Sequence, residues 1–291
     1  MELRPAGPAA DEAVRRAAVL GAPIGHSLSP ALHRAAYAGL GLAHWRYEAI
    51  ECDEAALPAL LEELDPSWAG LSLTMPLKRT VLPLLDEVSD LAVAVGGANT
   101  VVFAGGRLVG HNTDVHGIVA ALDEAGPAAG FRSPGSALIL GGGATACSAL
   151  AALHDLGLPE VTVAVRDRAR AGAAVAAAGR LGIAVDVRPL ARIEDLLPVD
   201  LVISTLPGGA ARPYAAAVAK SGAAVFDVAY EPWPTPLAAT VTGIGGAVVG
   251  GFPMLLHQAV RQVALMTRRD DLPVEAMRAA GEAELARRHS G

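Results

Sequence analysis

Short apolar runs alternate along this chain with stretches whose apolar residues recur at helical spacing, the pattern of βα units around a mostly parallel sheet. Ala17–Gly21 reads as a strand that leads into a polar loop through Ser27. Ser29 and Pro30 then read as the cap and first residue of a helix over Ala31–Leu40. His44–Ile50 predicts a second strand, Asp53–Leu64 a helix capped by Asp53, and Gly70–Thr74 a third strand. Pro76 blocks continuation of that strand, and Lys78 stands at the start of the next helical stretch. Ala98–Phe103 and Arg107–Gly110, joined by Gly105-Gly106, predict a hairpin, and a helix follows His111–Asp114 as far as Leu122.

A second unit begins near Gly135. Ser136–Leu140 is a continuous apolar strand, Gly141-Gly142-Gly143 a turn, and Ala144–Leu156 a helix of small residues. Strands are predicted at Val161–Val165, Ile183–Val187, Leu201–Ser204 and Ala223–Val228, the run of a dinucleotide-binding half. Gly243–Gly251 reads as a glycine-dense strand and turn, and helices over Pro253–Thr267 and Val274–Arg287 close the chain.

Length agrees with two units, since 291 residues at about 150 per domain gives roughly two. With 52% hydrophobic residues, disorder is excluded. The 23 Lys and Arg against 30 Asp and Glu leave a net charge of −7, which argues against nucleic acid or an anionic membrane as a partner. Cys52 and Cys147 have no paired spacing, so neither a disulfide framework nor a thiolate metal site is indicated, and a reducing cytosol fits. Met1 to Arg16 has no signal-peptide core and reads as a frayed extension. The uncharged runs Ser133–Leu153 and Pro232–Val260 carry too many glycines and prolines for lipid-facing helices.

The chemistry-bearing residues fall into two groups. Gly141-x-Gly143-x-x-Ala146 lies between a strand and a helix, where glycines permit a tight turn and close approach of a pyrophosphate to helix N-terminal N–H groups. After the next strand stands Arg166-Asp167-Arg168-Ala169-Arg170. Arginines there suit a 2′-phosphate (NADP) and the acid a ribose hydroxyl (NAD), and Arg166 standing first favours NADP. The second group comprises Ser27 and Ser29, Thr74 and Lys78, Asn99-Thr100, and Asn112-Thr113-Asp114. Each has a local explanation as a cap, turn or surface residue. Together, with Ser27, Thr74 and Lys78 following predicted strands, they offer the hydroxyl and amide partners that a polyhydroxylated acid requires.

Gly21-Ala-Pro-Ile-Gly-His-Ser27-Leu-Ser29-Pro30, Thr74–Lys78, Gly97-Ala-Asn99-Thr100, Asn112-Thr-Asp114 and Gly251-x-x-Met254-Leu255-x-x-Gln258-Ala259 together resemble the shikimate dehydrogenase family, in its order and over nearly the whole chain from Ala17 to about Ala280. The resemblance implies NADP-dependent reduction of 3-dehydroshikimate to shikimate, a step toward the aromatic amino acids, in the cytoplasm, by a monomer or homodimer. Its close rivals are quinate as substrate, NAD as cofactor, and a ligand sensor that has lost the chemistry. It implies two α/β domains with a cleft between them: residues 1–114 plus 251–291 for substrate and catalysis, and 115–250 as a Rossmann-type dinucleotide-binding domain.

By the same resemblance, Lys78 and Asp114 form the catalytic pair, while Ser27, Ser29, Thr74, Asn99, Tyr230 and Gln258 contact the substrate. Gly141, Gly142, Gly143, Ala144, Thr145, Arg166, Asp167, Arg170, Thr205, Val228 and Gly251 line the cofactor. No metal is implied, and His26 and His257 read as packing or hydrogen-bonding residues. The family often has Gly-Ala-Gly-Gly-Ala and Asn-Arg-Thr where this chain has Gly141-Gly-Gly-Ala-Thr145 and Val165-Arg166-Asp167, although Arg166 and Arg170 keep its two-arginine spacing.

Overall fold

A computed structural model describes residues 13–126, 131 and 133–289. In chain order the elements are β1 (Arg15–Gly21), α1 (Ser29–Gly39), β2 (Trp45–Glu51), α2 (Leu57–Glu62), β3 (Trp68–Leu73), α3 (Leu77–Thr80), β4 (Glu87–Val88), α4 (Asp90–Val95), β5 (Thr100–Ala104), β6 (Arg107–His111) and α5 (Asp114–Ala125). There follow β7 (Ala137–Leu140), α6 (Ala144–Asp155), β8 (Glu160–Val165), α7 (Gly172–Leu181), β9 (Ala184–Pro189), β10 (Leu201–Ser204), α8 (Ala215–Ser221), β11 (Ala224–Asp227), α9 (Pro236–Gly243), β12 (Val248–Val249), α10 (Gly251–Thr267) and α11 (Val274–His289).

These elements form two compact units. The first takes the chain up to Glu87, Asn99–Gly110 and the residues from Gln262 onward; the second takes Val88–Ala98 and His111–Arg261. The units change over at Glu87/Val88, Ala98/Asn99, Gly110/His111 and, within α10, Arg261/Gln262.

The second unit carries a sheet in the order β12-β11-β10-β7-β8-β9, and its strand pairs are parallel. Read outward from β7, the order reverses between β7 and β10. That is the topological switch point at which parallel α/β sheets bind ligands. Alternate residues of β7 enter opposite cores: Ala137 and Ile139 pack with α5, α6 and α7, whereas Leu138 and Leu140 pack with α8 and α9. Burial on both faces explains why these strands read as unbroken apolar runs.

The first unit's sheet runs β2-β1-β3-β5-β6-β4. It is mixed, not mostly parallel: β1 pairs in parallel with β2 and β3, but β3 runs antiparallel to β5. Apolar periodicity carries no strand direction, so the pattern could not distinguish the two. The turn joining β5 to β6 has Gly105 at φ +59° and Gly106 at φ +78°, a conformation glycine adopts without a Cβ penalty.

Other expectations shift for local reasons. Arg15 and Arg16 belong to β1 rather than to a frayed extension, since Arg15 Nη1 donates to Pro66 O at 3.1 Å and the Arg16 guanidinium lies 4.4 Å over the Trp68 ring. The rest of the extension, 1–12, lies outside the described residues. Asp53 does not cap a long helix: its Oδ1 accepts from Ala55 N and Ala56 N in a turn, and α2 begins only at Leu57. The strand expected over Gly243–Gly251 shrinks to Val248–Val249, because α9, capped by Thr235 Oγ1, runs to Gly243 and Gly245 turns at φ +81°. Among the described residues, no helix is long and apolar enough to cross a membrane.

Candidate active site

In the second unit, the carboxyl ends of β7, β8, β10 and β11 place Gly141, Arg166, Thr205 and Val228 along one sheet edge. Gly141 has φ +112°, and a Cβ on it would lie 2.5 Å from Thr205 Oγ1, so the turn crosses the switch point in direct contact with β10. A Cβ on Gly142 would lie 2.7 Å from the Arg170 carbonyl. At Gly143 nothing stands within 4 Å of that position. Gly141 is thus required by its positive φ and the Thr205 hydroxyl against it, and Gly142 by the Arg170 backbone, while the third glycine opens onto free space. Gly143 is also the N-cap of twelve-residue α6, whose start has no side-chain cap. Ala144 and Thr145 open that helix, so the first-turn N–H groups and the positive end of the helix dipole face an anion site. The residues fit a pyrophosphate.

Beyond β8, Arg166, Asp167 and Arg170 are exposed. Asp167 Oδ1 accepts from Ala169 N at 3.0 Å and caps the short 3₁₀ turn Arg168–Ala171. One carboxylate oxygen is therefore committed to the backbone. Arg166 and Arg170 have no ion-pair partner among the described residues. Thr205 anchors the edge, donating through both N and Oγ1 to Leu140 O, each at 2.9 Å.

The Tyr230 loop is pinned from beneath. Thr235 Oγ1 donates to Asp227 Oδ2 at 2.6 Å and accepts from Ala238 N, while Asp227 Oδ1 accepts from Ala229 N. Burial pushes the Asp227 carboxyl above its usual range, against these hydrogen bonds. Val228 lies against Gly251, whose N–H donates to Ala229 O at 3.0 Å.

At the start of α5, the side-chain cap comes from Asn112, whose Oδ1 accepts from Val115 N at 3.3 Å. Asn112 Nδ2 donates to Gly97 O at 2.9 Å. Asp114 follows as the first helical residue, buried at 3% exposure. Gly117 lets α10 approach, since a Cβ there would lie 2.6 Å from Met254 O. Buried Gln258 then receives the Thr113 hydroxyl on Oε1 at 3.5 Å. Asp114 and Gln258 are thereby brought to one place in the second unit. His257 Nε2 pairs with Glu124 at 2.7 Å.

The first unit gathers the others. Ser29 is the first residue of α1 rather than its cap; the N-cap is Leu28, which brings no side-chain cap, and Ser27 Oγ accepts from Ser29 N at 3.3 Å in the turn before it. The buried Ser29 hydroxyl faces Tyr47. Thr74 closes β3, its N–H donating to Leu20 O at 2.9 Å, and a Cβ on Gly21 would lie 2.3 Å from Thr74 Cγ2. Lys78, half-buried, sits on one-turn α3. Asn99, 1% exposed, accepts the Leu73 N–H on its carbonyl at 2.7 Å. Of the expected catalytic pair, Lys78 belongs to the first unit and Asp114 to the second.

Two residues here escaped the sequence pattern. Gln262 Nε2 donates to Asn99 O at 3.1 Å. Its signal was a second amide one helical turn after Gln258, in an otherwise apolar helix. Arg288 donates to His26 O at 2.8 Å and Ser27 O at 3.1 Å, and is held by Glu284 at 2.9 Å. Two arginines keep that glutamate at about 2. No local signal links a terminal arginine to a loop 261 residues earlier.

Residues 19–101 match the model of the shikimate dehydrogenase substrate binding domain. A shikimate dehydrogenase (NADP(+)) of Desulfitobacterium hafniense strain Y51 is 34% identical over 271 residues, 92% of this chain and 97% of that protein. The crystal structure of Mycobacterium tuberculosis shikimate dehydrogenase shares 40% identity at a TM-score of 0.84, covering 92% of this chain and 99% of that one. That of shikimate 5-dehydrogenase from Thermus thermophilus, in complex with NADP(H) and shikimate, shares 34% at 0.80, covering 93% and 99%. Site motifs, fold and relatives coincide along almost the whole length, and this chain belongs to the shikimate dehydrogenase family.

Proposed function

We propose that this chain catalyses the reversible NADP-dependent reduction of 3-dehydroshikimate to shikimate, a step toward the aromatic amino acids, in the cytoplasm. The observation that carries this reading is the glycine turn at the switch point, open at Gly143 and followed by the uncapped start of α6, with Arg166 and Arg170 beyond β8. Bound there, the nicotinamide supplies or accepts the hydride. Gly141–Thr145 hold the pyrophosphate, Arg166 and Arg170 the 2′-phosphate, and Thr205, Val228 and Gly251 line the remaining path. Asp167, with Oδ1 engaged as a cap, has its second oxygen for the ribose.

On the substrate side, Ser27 and Ser29 bind the carboxylate through their hydroxyls. Thr74, Asn99, Tyr230 and Gln258 bind the ring hydroxyls, and the lysine and aspartate pair, Lys78 with Asp114, moves the proton at the oxygen of the oxidised carbon. In this reading residues 1–114 with 251–291 bind substrate, and 115–250 bind the cofactor. The buried free thiols Cys52 and Cys147 suit a reducing compartment.

Initial rates for NADP or NAD paired with shikimate or quinate test the assignment, the expected order placing NADP with shikimate first. Replacing Arg166 and Arg170 together by alanine should raise the KM for NADP by about 10- to 100-fold, the worth of one or two charge-assisted hydrogen bonds, and leave that for NAD nearly unchanged. Inactivity in all four pairings, or an equal effect on both cofactors, would contradict it.

A further inference from the structure

Behind Asn99 lies a buried chain of hydrogen bonds whose direction is settled by the chemistry of its members. A backbone carbonyl only accepts, so the group that Gln262 turns to Asn99 O, at 3.1 Å, is its Nε2 amino group. Gln262 Oε1 therefore faces the other way. It accepts from Ser72 Oγ at 2.8 Å and from His33 Nε2 at 3.2 Å. Ser72 has its proton to give because it accepts from the Tyr47 hydroxyl at 2.7 Å. His33 is fully buried and stacked on Tyr47, with ring centroids 3.9 Å apart. Burial lowers its pKa to about 3, so the ring is neutral and carries one proton, at Nε2, while Nδ1 receives the Tyr37 hydroxyl at 3.4 Å.

The second Nε2 proton of Gln262 goes to Thr100 Oγ1 at 3.0 Å. Having accepted there, the Thr100 hydroxyl donates to Asn99 Oδ1, also at 3.0 Å. Asn99 Oδ1 is thus the acceptor at the end of a one-way chain, and its Nδ2 group is turned away from Thr100. A flipped Asn99 amide would lose the hydrogen bond from Thr100 Oγ1 and set its NH₂ against a hydroxyl that already receives Gln262 Nε2.

We propose that Gln262 and Thr100 are positioning residues that fix the Asn99 amide with its N–H donors toward the substrate, so that this position recognises an acceptor oxygen. The proposal rests on the reading that Asn99 contacts the substrate. The isosteric substitution Thr100→Val removes the orienting hydroxyl. It should raise the KM for shikimate about 10-fold, the order expected for one misdirected buried hydrogen bond, with kcat and the KM for NADP changed less than about threefold. Thr100→Ser, which returns the hydroxyl, should recover most of the affinity. In an Asn99→Ala background Thr100→Val should add less than about twofold, because the amide it orients is gone.

Additive effects of the two substitutions, or failure of Thr100→Ser to recover affinity lost in Thr100→Val, overturn the proposal. So does an unchanged KM in Thr100→Val while Asn99→Ala raises it. If Asn99→Ala itself leaves the KM for shikimate unchanged, the assignment of Asn99 to the substrate fails first. Gln262→Leu, measured in the same way, gives a second path to the same result should Thr100→Val fold poorly.

Discussion

Replacing Lys78 by alanine is expected to lower kcat by about 10³-fold, within the range for loss of a positioned proton-transfer or charge-stabilising group, while the KM for shikimate changes by less than about threefold. The side chain sits on one-turn α3, set by Pro76 just past the end of β3, half-buried and followed by buried Val81. Hydride transfer to the ketone carbon leaves negative charge on its oxygen, and in the reverse direction the alcohol must give up its O–H proton as the hydride departs. An ammonium or a proton acceptor at that oxygen acts chiefly in the transition state, so its removal falls on turnover rather than on binding. Lys78→Met, which keeps the stem, should be as inactive as Lys78→Ala. A variant that binds shikimate poorly yet turns over at the wild-type rate when saturated would place Lys78 in substrate binding instead.

Gly251→Ala is expected to destabilise the second unit by roughly 3 kcal/mol and to lower the thermal midpoint by about 5–10 °C. A Cβ there would lie 1.9 Å from Val228 O and 2.4 Å from Val228 C, which are backbone atoms with no rotamer through which to yield. Relief requires α10 to withdraw from the end of β11, breaking the Gly251 N to Ala229 O bond and loosening the loop that carries Tyr230. Gly143→Ala is the informative contrast, because its Cβ meets nothing within 4 Å and its N-cap φ of −80° suits any residue. Thermal denaturation of both should show a large shift for Gly251→Ala and about one degree or less for Gly143→Ala. An unshifted midpoint in Gly251→Ala would contradict the close approach.

What the sequence pattern could carry was local or periodic. β10 falls at Leu201–Ser204 as expected, because an apolar run buried on both faces has clear ends. The Gly105-Gly106 turn and the strand, glycine turn and helix around Gly141 were legible because their backbones require glycine. What depends on partners distant in sequence was not. The antiparallel pairing of β3 with β5, the role of Arg16 against Trp68, and the placing of Arg288 beneath Ser27 arise only when separate segments meet. The start of α1 shows the difference at close range: Ser29 before proline looked like the cap, but the helix already includes Ser29, and the cap position falls on Leu28, with Ser27 Oγ accepting from Ser29 N in the turn before it. The Ser29 hydroxyl belongs to the buried polar cluster, where Gln262, unremarked in the linear pattern, is the central member.

Label transfer tests the central claim most directly. Shikimate deuterated at the carbon that becomes the ketone is incubated with NADP and this protein, and the reduced cofactor is isolated and weighed by mass spectrometry. One deuterium per reduced nicotinamide, appearing in step with 3-dehydroshikimate and absent when Lys78→Ala replaces the wild type over the same interval, is the result expected. Unlabelled reduced cofactor, or no reduced cofactor at all from the wild type, would contradict direct hydride transfer at this site.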